Sequence, residues 1–174
     1  RRSFIKIRNK SFNIRIIGMK FSVLEPKSIR WDAQLDKAVI LGAGGAAAAI
    51  IQGLLERKAT KIVIVNRTIE KAEQLARRFS AAIDVKSFDD VSVALDRASF
   101  VVNTTSLGMK GQPPLALDLS HLHHSALVTD IVYVPLITDF LKSAQDQGLK
   151  IVDGLGMLLH QAVPGFQHWF GQRP

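Results

Sequence analysis

A glycine-rich loop near residue 42 is the first feature of the sequence that could do chemistry. The segment Gly42-Ala43-Gly44-Gly45-Ala46-Ala47 reads G-x-G-x-x-A and follows an apolar run at residues 38–41. In this pattern Gly42 permits a tight turn, Gly44 lets the backbone approach a pyrophosphate, and Ala47 lets the next helix pack closely on the strand. A glycine turn used only for packing is the alternative. The position of the loop between a predicted strand and a predicted helix favours a dinucleotide-binding loop.

A second cluster with chemical potential follows the apolar run at residues 61–66. NAD-binding domains carry an acid near this point that bonds the ribose 2′-hydroxyl, but residues 57–69 contain no acid. Arg67 instead offers a guanidinium that can pair with a phosphate and stack on adenine, with Lys71 one helical turn further on. Thr68 adds a hydroxyl, although it could also cap the helix that follows. The cluster favours NADP over NAD as the cofactor.

Other catalytic and metal chemistries find little support in the sequence. The chain has no cysteine, which excludes disulfides, thiolate metal sites and cysteine nucleophiles. His121, His123 and His124 look like a metal cluster, but the surrounding sequence supplies only scattered acids, so we interpret them as a polar connection and predict no metal site. His160 is interpreted as a histidine on a helix surface. No residue of the chain can be assigned a catalytic role.

The elements that must position these residues alternate regularly between strands and helices. Apolar runs typical of buried strands lie at residues 38–41, 61–66, 100–103, 127–131 and 150–152. Helical patterns lie at residues 45–57, 69–79, 138–147 and 156–170. Such alternation predicts an α/β Rossmann-type fold, a doubly wound parallel sheet with helices on both faces. Ligands of such sheets bind beyond the carboxyl ends of the strands, where the glycine loop and Arg67 both lie.

The net charge of +8 is concentrated in the first fifth of the chain. Residues 1–37 hold 10 Lys and Arg against 3 Asp and Glu, whereas residues 38–174 hold 13 against 12. A basic arm could contact nucleic acid or a membrane surface, but interleaved aromatic residues are sparse, which argues against a nucleic-acid partner. No apolar run is long enough to span a bilayer, and we expect a soluble cytoplasmic protein. We expect two parts, a basic segment with a linker helix at 1–36 and a Rossmann domain at 37–174.

Three further motifs follow the two clusters in a familiar order. They are Asn103-Thr104-Thr105-Ser106-Leu107-Gly108-Met109, Asp130-Ile131-Val132-Tyr133-Val134-Pro135 and Asp153-Gly154-Leu155-Gly156-Met157-Leu158-Leu159-His160-Gln161-Ala162. With the glycine loop and Asn66-Arg67-Thr68, they make residues 31–174 resemble the C-terminal, NADP-binding domain of shikimate dehydrogenases. These oxidoreductases reduce 3-dehydroshikimate to shikimate in aromatic amino acid biosynthesis. The resemblance implies NADP as cofactor and shikimate or 3-dehydroshikimate as substrate, and it allows a homodimer.

The resemblance also implies roles for individual residues. The pyrophosphate would be bound by Gly42, Gly44, Gly45 and Ala46. The adenosine 2′-phosphate would be bound by Asn66, Arg67, Thr68 and Lys71. The remainder of the cofactor would lie along Thr104, Ser106, Met109, Ile131, Gly154 and Met157, and the substrate would contact Tyr133 and Gln161. By sequence alone Met157 could be a core residue, Tyr133 a surface ring at a strand exit, and Gln161 a solvated helix residue.

The catalytic groups that the resemblance implies are not recognisable in this sequence. The family uses a lysine and an aspartate of an N-terminal substrate domain, and neither motif occurs in residues 1–36. Lys6, Lys10 and Lys20 are present without the matching surroundings. We therefore expect residues 1–36 to be a remnant or replacement of that domain, and the chain by itself to be weak or inactive. The alternatives are a non-catalytic NADP-binding module and a glutamyl-tRNA reductase-like cofactor domain, although the missing cysteine and the motif at 153–162 argue against the latter.

Overall fold

The computed structural model describes residues 35–79 and 82–172, which form a sheet with helices on both faces. The strands are β1 (Ala38–Leu41), β2 (Ile62–Asn66), β3 (Asp84–Ser87), β4 (Phe100–Asn103), β5 (Leu127–Asp130) and β6 (Lys150–Val152). The helices are α1 (Gly45–Glu56), α2 (Ile69–Ala76), α3 (Val91–Leu95), α4 (Asp139–Asp146) and α5 (Leu155–Phe170), and a short 3₁₀ turn (Phe88–Asp90) precedes α3.

All six strands pair in parallel, in the order β3-β2-β1-β4-β5-β6. Ala38 of β1 pairs with Ile62 on one side and with Phe100 on the other. After β1 the chain builds the sheet towards β3, and from β4 it builds in the opposite direction. The strand order therefore reverses between β1 and β4, which opens a crevice at their carboxyl ends. This topology confirms the predicted Rossmann-type fold.

The alternation of side chains along each strand fills a core on both faces of the sheet. In β1, Ala38 and Ile40 join the cluster that contains α1 and α2, whereas Val39 and Leu41 join the cluster that contains α3 and α4. All four residues are fully buried. Burying a larger aliphatic side chain such as Val39, Ile40 or Leu41 stabilises the fold by about 1.5–3 kcal/mol. Two covered faces explain why the strand sequences are continuously apolar rather than alternating.

The first half of the sheet contains two elements that the hydrophobic pattern did not predict. Strand β3 has the sequence Asp-Val-Lys-Ser, and none of its residues is fully buried because it lies at the edge of the sheet. The short helix α3 covers β2 and β3 through Ala94 and Leu95. Neither element has the long apolar pattern that identifies buried strands and helices.

The predicted boundaries of the remaining elements differ from the structure by a few residues. Helix α2 ends at Ala76, three residues before the predicted end, and α5 begins at Leu155, one residue before the predicted start. Within the described residues, no helix is both long and apolar enough to cross a membrane.

Candidate functional site

The turn after β1 has a backbone conformation that requires glycine. Gly42 has a φ of +106°, and a Cβ atom at this position would lie 2.7 Å from the Oγ1 atom of Thr104. Its backbone N–H donates to the carbonyl oxygen of Val65 at 2.8 Å. Gly42 therefore brings the loop between β1 and α1 against the loop that follows β4, which a side chain would prevent.

The next two glycines face open space instead. Gly44 is the N-cap of α1 and makes no side-chain capping hydrogen bond, and the first turn of the helix contains no acid. A Cβ atom on Gly44 or Gly45 would have no neighbour within 4 Å. Ala46 is half-buried, and Ala47 is fully buried in the core. The start of α1 thus presents uncapped N–H groups and the positive end of the helix dipole, which is the chemistry that binds an anion.

The turn after β2 presents a cation and a hydroxyl to solvent. Asn66 is half-buried, and its Nδ2 atom donates to the carbonyl oxygen of Thr68 at 2.7 Å, so its side chain shapes the turn. Arg67 and Thr68 are exposed, as is Lys71 in α2. Arg67 forms no ion pair with any residue in 35–79 or 82–172. Thr68 is the N-cap of α2, but its hydroxyl makes no capping bond, so that hydroxyl is available to a ligand.

The loop after β4 is anchored to the glycine loop by a buried threonine. The Oγ1 atom of Thr104 donates to the carbonyl oxygen of Leu41 at 2.7 Å, and its backbone N–H donates to the same oxygen at 2.8 Å. These two hydrogen bonds connect the loop after β4 to the end of β1. The hydroxyl proton of Thr104 is already used in one of them. Ser106 and Met109 are exposed further along this loop, where they can contact a ligand.

A buried polar cluster lies where β4 and β5 end, and sequence reasoning did not single it out. Asn103 and Asp130 are 0% and 1% exposed, and the Nδ2 atom of Asn103 donates to Oδ1 of Asp130 at 2.9 Å. Asp130 also accepts from the backbone N–H of Val132 at 2.9 Å and from Oγ1 of Thr138 at 2.8 Å. Burial raises the pKa of the Asp130 carboxyl group although these three bonds lower it. The sequence feature that could have identified this cluster is Asp130 itself, an acid at the end of a buried strand.

The exit of β5 and the start of α5 meet closely. A Cβ atom on the buried Gly154 would lie 2.6 Å from the carbonyl oxygens of both Ile131 and Val132, so only glycine allows this approach. Ile131 and Met157 are half-buried at this junction, and the ring of Tyr133 is 44% exposed. The exit of β5 and the start of α5 thus meet at the carboxyl end of the sheet.

Several predicted residues lie wholly or partly outside the described part of the structure. Gln161 lies within α5, but its side chain is outside the described part of the structure, as is that of His160. Lys6, Lys10 and Lys20 lie outside the described residues, like most of the predicted basic segment.

The histidine-rich connection before β5 is stabilised by local polar contacts. Nδ1 of His123 lies 2.8 Å from Oγ of Ser125, and the rings of His123 and His124 are 4.2 Å apart. The described part of the chain contains no group of three or more metal-binding side chains that could hold an ion.

Comparison with protein families finds two matching models. Residues 26–111 match the model described as shikimate / quinate 5-dehydrogenase. Residues 154–174 match the model described as shikimate 5′-dehydrogenase C-terminal domain. Together the two matches include the glycine loop, the Arg67 turn, the loop after β4 and helix α5.

Curated relatives agree with the family models. The shikimate dehydrogenase (NADP(+)) of Afipia carboxidovorans is 54% identical over 151 residues, which are 87% of this chain and 54% of the relative. That of Azorhizobium caulinodans is 56% identical over 144 residues, 83% of this chain and 51% of the relative. The chain spans about half the length of the curated relatives it matches.

Several solved structures are similar to this chain in fold. A quinate dehydrogenase from Corynebacterium glutamicum in complex with NAD matches with a TM-score of 0.74 and 32% identity, over 82% of this chain and 52% of that one. A shikimate 5-dehydrogenase from Thermus thermophilus in complex with NADP(H) and shikimate matches with a TM-score of 0.67 and 32% identity, over 80% and 51%.

Proposed function

Since the chain belongs to the shikimate dehydrogenase family, we propose that it is part of an oxidoreductase that interconverts 3-dehydroshikimate and shikimate with NADP. Residues 37–174 form the NADP-binding domain in this proposal. The observation that carries it is the open start of α1, where Gly44 and Gly45 leave space beside uncapped N–H groups at the crevice. A dinucleotide pyrophosphate is the anion that this arrangement suits.

The second turn supports NADP rather than NAD as the cofactor. Arg67 and Lys71 are exposed cations, the Thr68 hydroxyl makes no capping bond, and residues 57–69 contain no acid that would repel a phosphate. Asn66 holds the turn in shape. A phosphate on the adenosine ribose would pair with the guanidinium in a charge-assisted hydrogen bond.

The far side of the crevice suits the nicotinamide and the substrate. Gly154 lets α5 approach the exit of β5, and Met157 and Ile131 are half-buried there. In this proposal they line one end of the crevice. Ser106 and Met109 extend along it from the loop after β4, and the exposed ring of Tyr133 is available to a substrate. Gln161 contacts a substrate hydroxyl in this proposal.

The chemistry divides between the cofactor and the chain. A bound nicotinamide supplies or accepts the hydride. In this proposal the chain binds the phosphates of the cofactor and orients its nicotinamide ring. It thereby keeps the reacting atoms of cofactor and substrate close together in a fixed geometry. Transfer to a carbonyl also needs a proton donor, and we assign that role to no residue of this chain. We therefore propose that these 174 residues provide the cofactor half of the reaction.

The proposal is tested by titrating the full chain with NADPH and then assaying it. Calorimetry should give binding of NADPH that is tighter than binding of NADH. Formation of NADPH from NADP should then be followed by absorbance, first with shikimate and then with quinate as the alternative substrate. Absence of NADPH binding would contradict the proposed function. Binding without any shikimate-dependent reduction would instead favour a non-catalytic NADP-binding module.

Three other properties stay predictions. The match of residues 154–174 to the C-terminal domain of shikimate 5′-dehydrogenases favours this function over a glutamyl-tRNA reductase-like cofactor domain. A homodimer is checked by sedimentation of the purified chain. A cytoplasmic location is checked by fractionation of cells that express it.

A further inference from the structure

The cluster around Asp130 joins two loops that lie on the substrate side of the crevice. Its core is the Asn103–Asp130 hydrogen bond of 2.9 Å between the last residues of β4 and β5. From Asn103, further bonds reach the loop after β4, to the backbone N–H and hydroxyl of Thr105 at 3.0 and 2.7 Å and to the carbonyl oxygen of Leu107 at 3.1 Å. The position of that loop is thus coupled to β5.

Asp130 also closes the loop that contains Tyr133. Oδ1 accepts from the backbone N–H of Val132, immediately before the tyrosine, and Oδ2 accepts from the hydroxyl of Thr138, five residues after it. Thr138 in turn accepts from the backbone N–H of Leu141 and begins α4. A single carboxylate therefore binds both ends of residues 132–138. Most side chains between these ends are exposed, so few apolar contacts hold the loop.

The two loops also contact each other directly. The backbone N–H of Lys110 donates to the carbonyl oxygen of Val134 at 2.9 Å. This bond lies next to Tyr133 on one loop and next to Met109 on the other. A shift of one loop would therefore be transmitted to the other.

The energetic cost of this cluster points to a role beyond packing. Asp130, Asn103 and Thr138 are at most 1% exposed, and Asp130 has no ion-pair partner among the residues that the structure describes. A buried carboxylate without a cation is costly unless hydrogen bonds replace its water. Breaking such a bond leaves a buried polar atom unsatisfied, so the donors are held in one geometry.

We propose that Asp130 is a positioning residue that fixes Tyr133 relative to the cofactor-facing loop at residues 104–110. It acts through Asn103, Val132 and Thr138 rather than by contact with substrate or cofactor. The structural part of this inference stands on the hydrogen bonds, and its consequence for catalysis rests on the proposed function.

The first test uses the fact that Tyr133 is the only tyrosine of the chain. Incorporation of ring-fluorinated tyrosine gives one fluorine NMR signal, which reports the surroundings of this ring. Asp130→Asn keeps the shape of the side chain but removes one acceptor oxygen, and we expect the signal to shift or to split into several. The matched control is Asp84→Asn, which removes an exposed carboxylate at the amino end of β3. A signal unchanged by Asp130→Asn would overturn the inference.

A second pair of variants covers the case in which Asp130→Asn does not fold. Thr138→Val removes the donor to Oδ2, and Thr138→Ser retains the hydroxyl. We expect the valine variant to disturb the fluorine signal and the serine variant to restore it. An equal effect of both would show that the packing of Thr138, not its hydrogen bond to Asp130, determines the loop.

The third measurement separates positioning from a general loss of structure. Adenosine 2′,5′-bisphosphate occupies the adenosine end alone, whereas NADPH also occupies the end near Tyr133. Asp130→Asn should weaken NADPH binding by about tenfold and leave the affinity for the bisphosphate unchanged. Parallel loss of both affinities, or loss of neither, would contradict positioning. If the unaltered chain binds neither compound, the proposed function fails and the fluorine signal alone decides the inference.

Discussion

At the scale of single residues, exposure distinguishes the side chains that are proposed to contact ligands from those that shape the crevice. Arg67, Ser106 and Tyr133 are exposed. Thr104 and Asp130 are buried, and their side chains form hydrogen bonds with other residues of the protein. The first group should affect binding when it is changed and have little effect on stability. The second group should affect both.

Arg67 should determine the preference for NADP. Arg67→Gln removes the charge that is proposed to pair with the 2′-phosphate, so NADPH affinity should fall by about tenfold or more, ~1.4 kcal/mol. Affinity for NADH should change little because that cofactor lacks the phosphate. Calorimetric titration with both cofactors measures the difference. The control is Arg78→Gln, which removes an equal, exposed charge beyond the end of α2. Equal losses in both variants would mean that only net charge matters.

Asp130 should make stability fall as the pH rises. Burial raises its pKa above the ordinary 3.8, so the native state binds this proton more tightly than the unfolded state. The free energy of unfolding therefore decreases as pH rises from about that value through the raised pKa, and below it both states are protonated. Asp130→Asn removes this contribution. Urea denaturation at several pH values should show a difference between the two proteins that changes with pH. A constant difference would contradict the raised pKa.

At the scale of elements, the start of α1 combines a fixed turn with an open surface. The turn at Gly42 has a positive φ and leaves no room for a Cβ atom beside Thr104. Gly44, in contrast, has a φ of −92° and a ψ of −167°, which any residue can adopt. Two glycines that are only two positions apart therefore differ in what they do. Gly42 allows the close approach of the two loops, whereas Gly44 leaves open space where the proposed cofactor would bind.

Replacing Gly44 should separate binding from folding. Gly44→Val places a branched side chain in the open space, so NADPH binding should be lost while the melting temperature changes little. Gly44→Ala should lie between, because a single methyl group obstructs less. Calorimetry and thermal denaturation by circular dichroism measure the two effects. Unfolding of the valine variant would show that Gly44 is needed for packing.

The opposite result is expected at Gly42. Gly42→Ala combines an unfavourable φ with a Cβ atom 2.7 Å from Thr104 Oγ1, and should cost on the order of 1–3 kcal/mol of stability. Chemical denaturation gives this value directly. A variant as stable as the original chain would mean that the loop rearranges freely and that the contact with Thr104 is unimportant.

At the scale of the whole molecule, cofactor binding and hydride transfer are separable. The described residues supply a complete doubly wound sheet with its crevice, and the chain spans about half the length of the curated relatives it matches. The residues proposed to bind the dinucleotide all lie on the strands, helices and loops of this sheet. Turnover also requires a proton donor and groups that enclose the substrate.

The 174-residue chain should therefore bind NADPH but reduce NADP slowly with shikimate. Loss of general acid–base help alone typically costs on the order of 10²–10⁴ in rate. The measurement is NADPH formation at saturating shikimate, with Gly44→Val as the control for contaminating activity. A rate within tenfold of the enzyme median of ~10 s⁻¹ would contradict the prediction and indicate a catalytic group within this chain.

Much of the fold, and the two turns that are proposed to bind the cofactor, could be predicted because their determinants are local in sequence. The apolar runs of β1 and β2, the glycine pattern after β1 and Arg67 after β2 each lie within a few residues. Hydrophobic periodicity and turn chemistry identify such features without knowledge of distant contacts. The rule that parallel strands present their carboxyl ends at one edge then brings the two turns together.

Only the tertiary structure revealed the contacts that determine how the site is held. Thr104 bonds to Leu41 across 63 residues, and Asn103 bonds to Asp130 across 27. Gly154 fits against the exit of β5 because of a backbone approach that no sequence pattern encodes. The edge strand β3 is polar enough to resemble a loop until its pairing with β2 is seen. Each of these features depends on residues far apart in the chain, whose distances are determined when the sheet assembles.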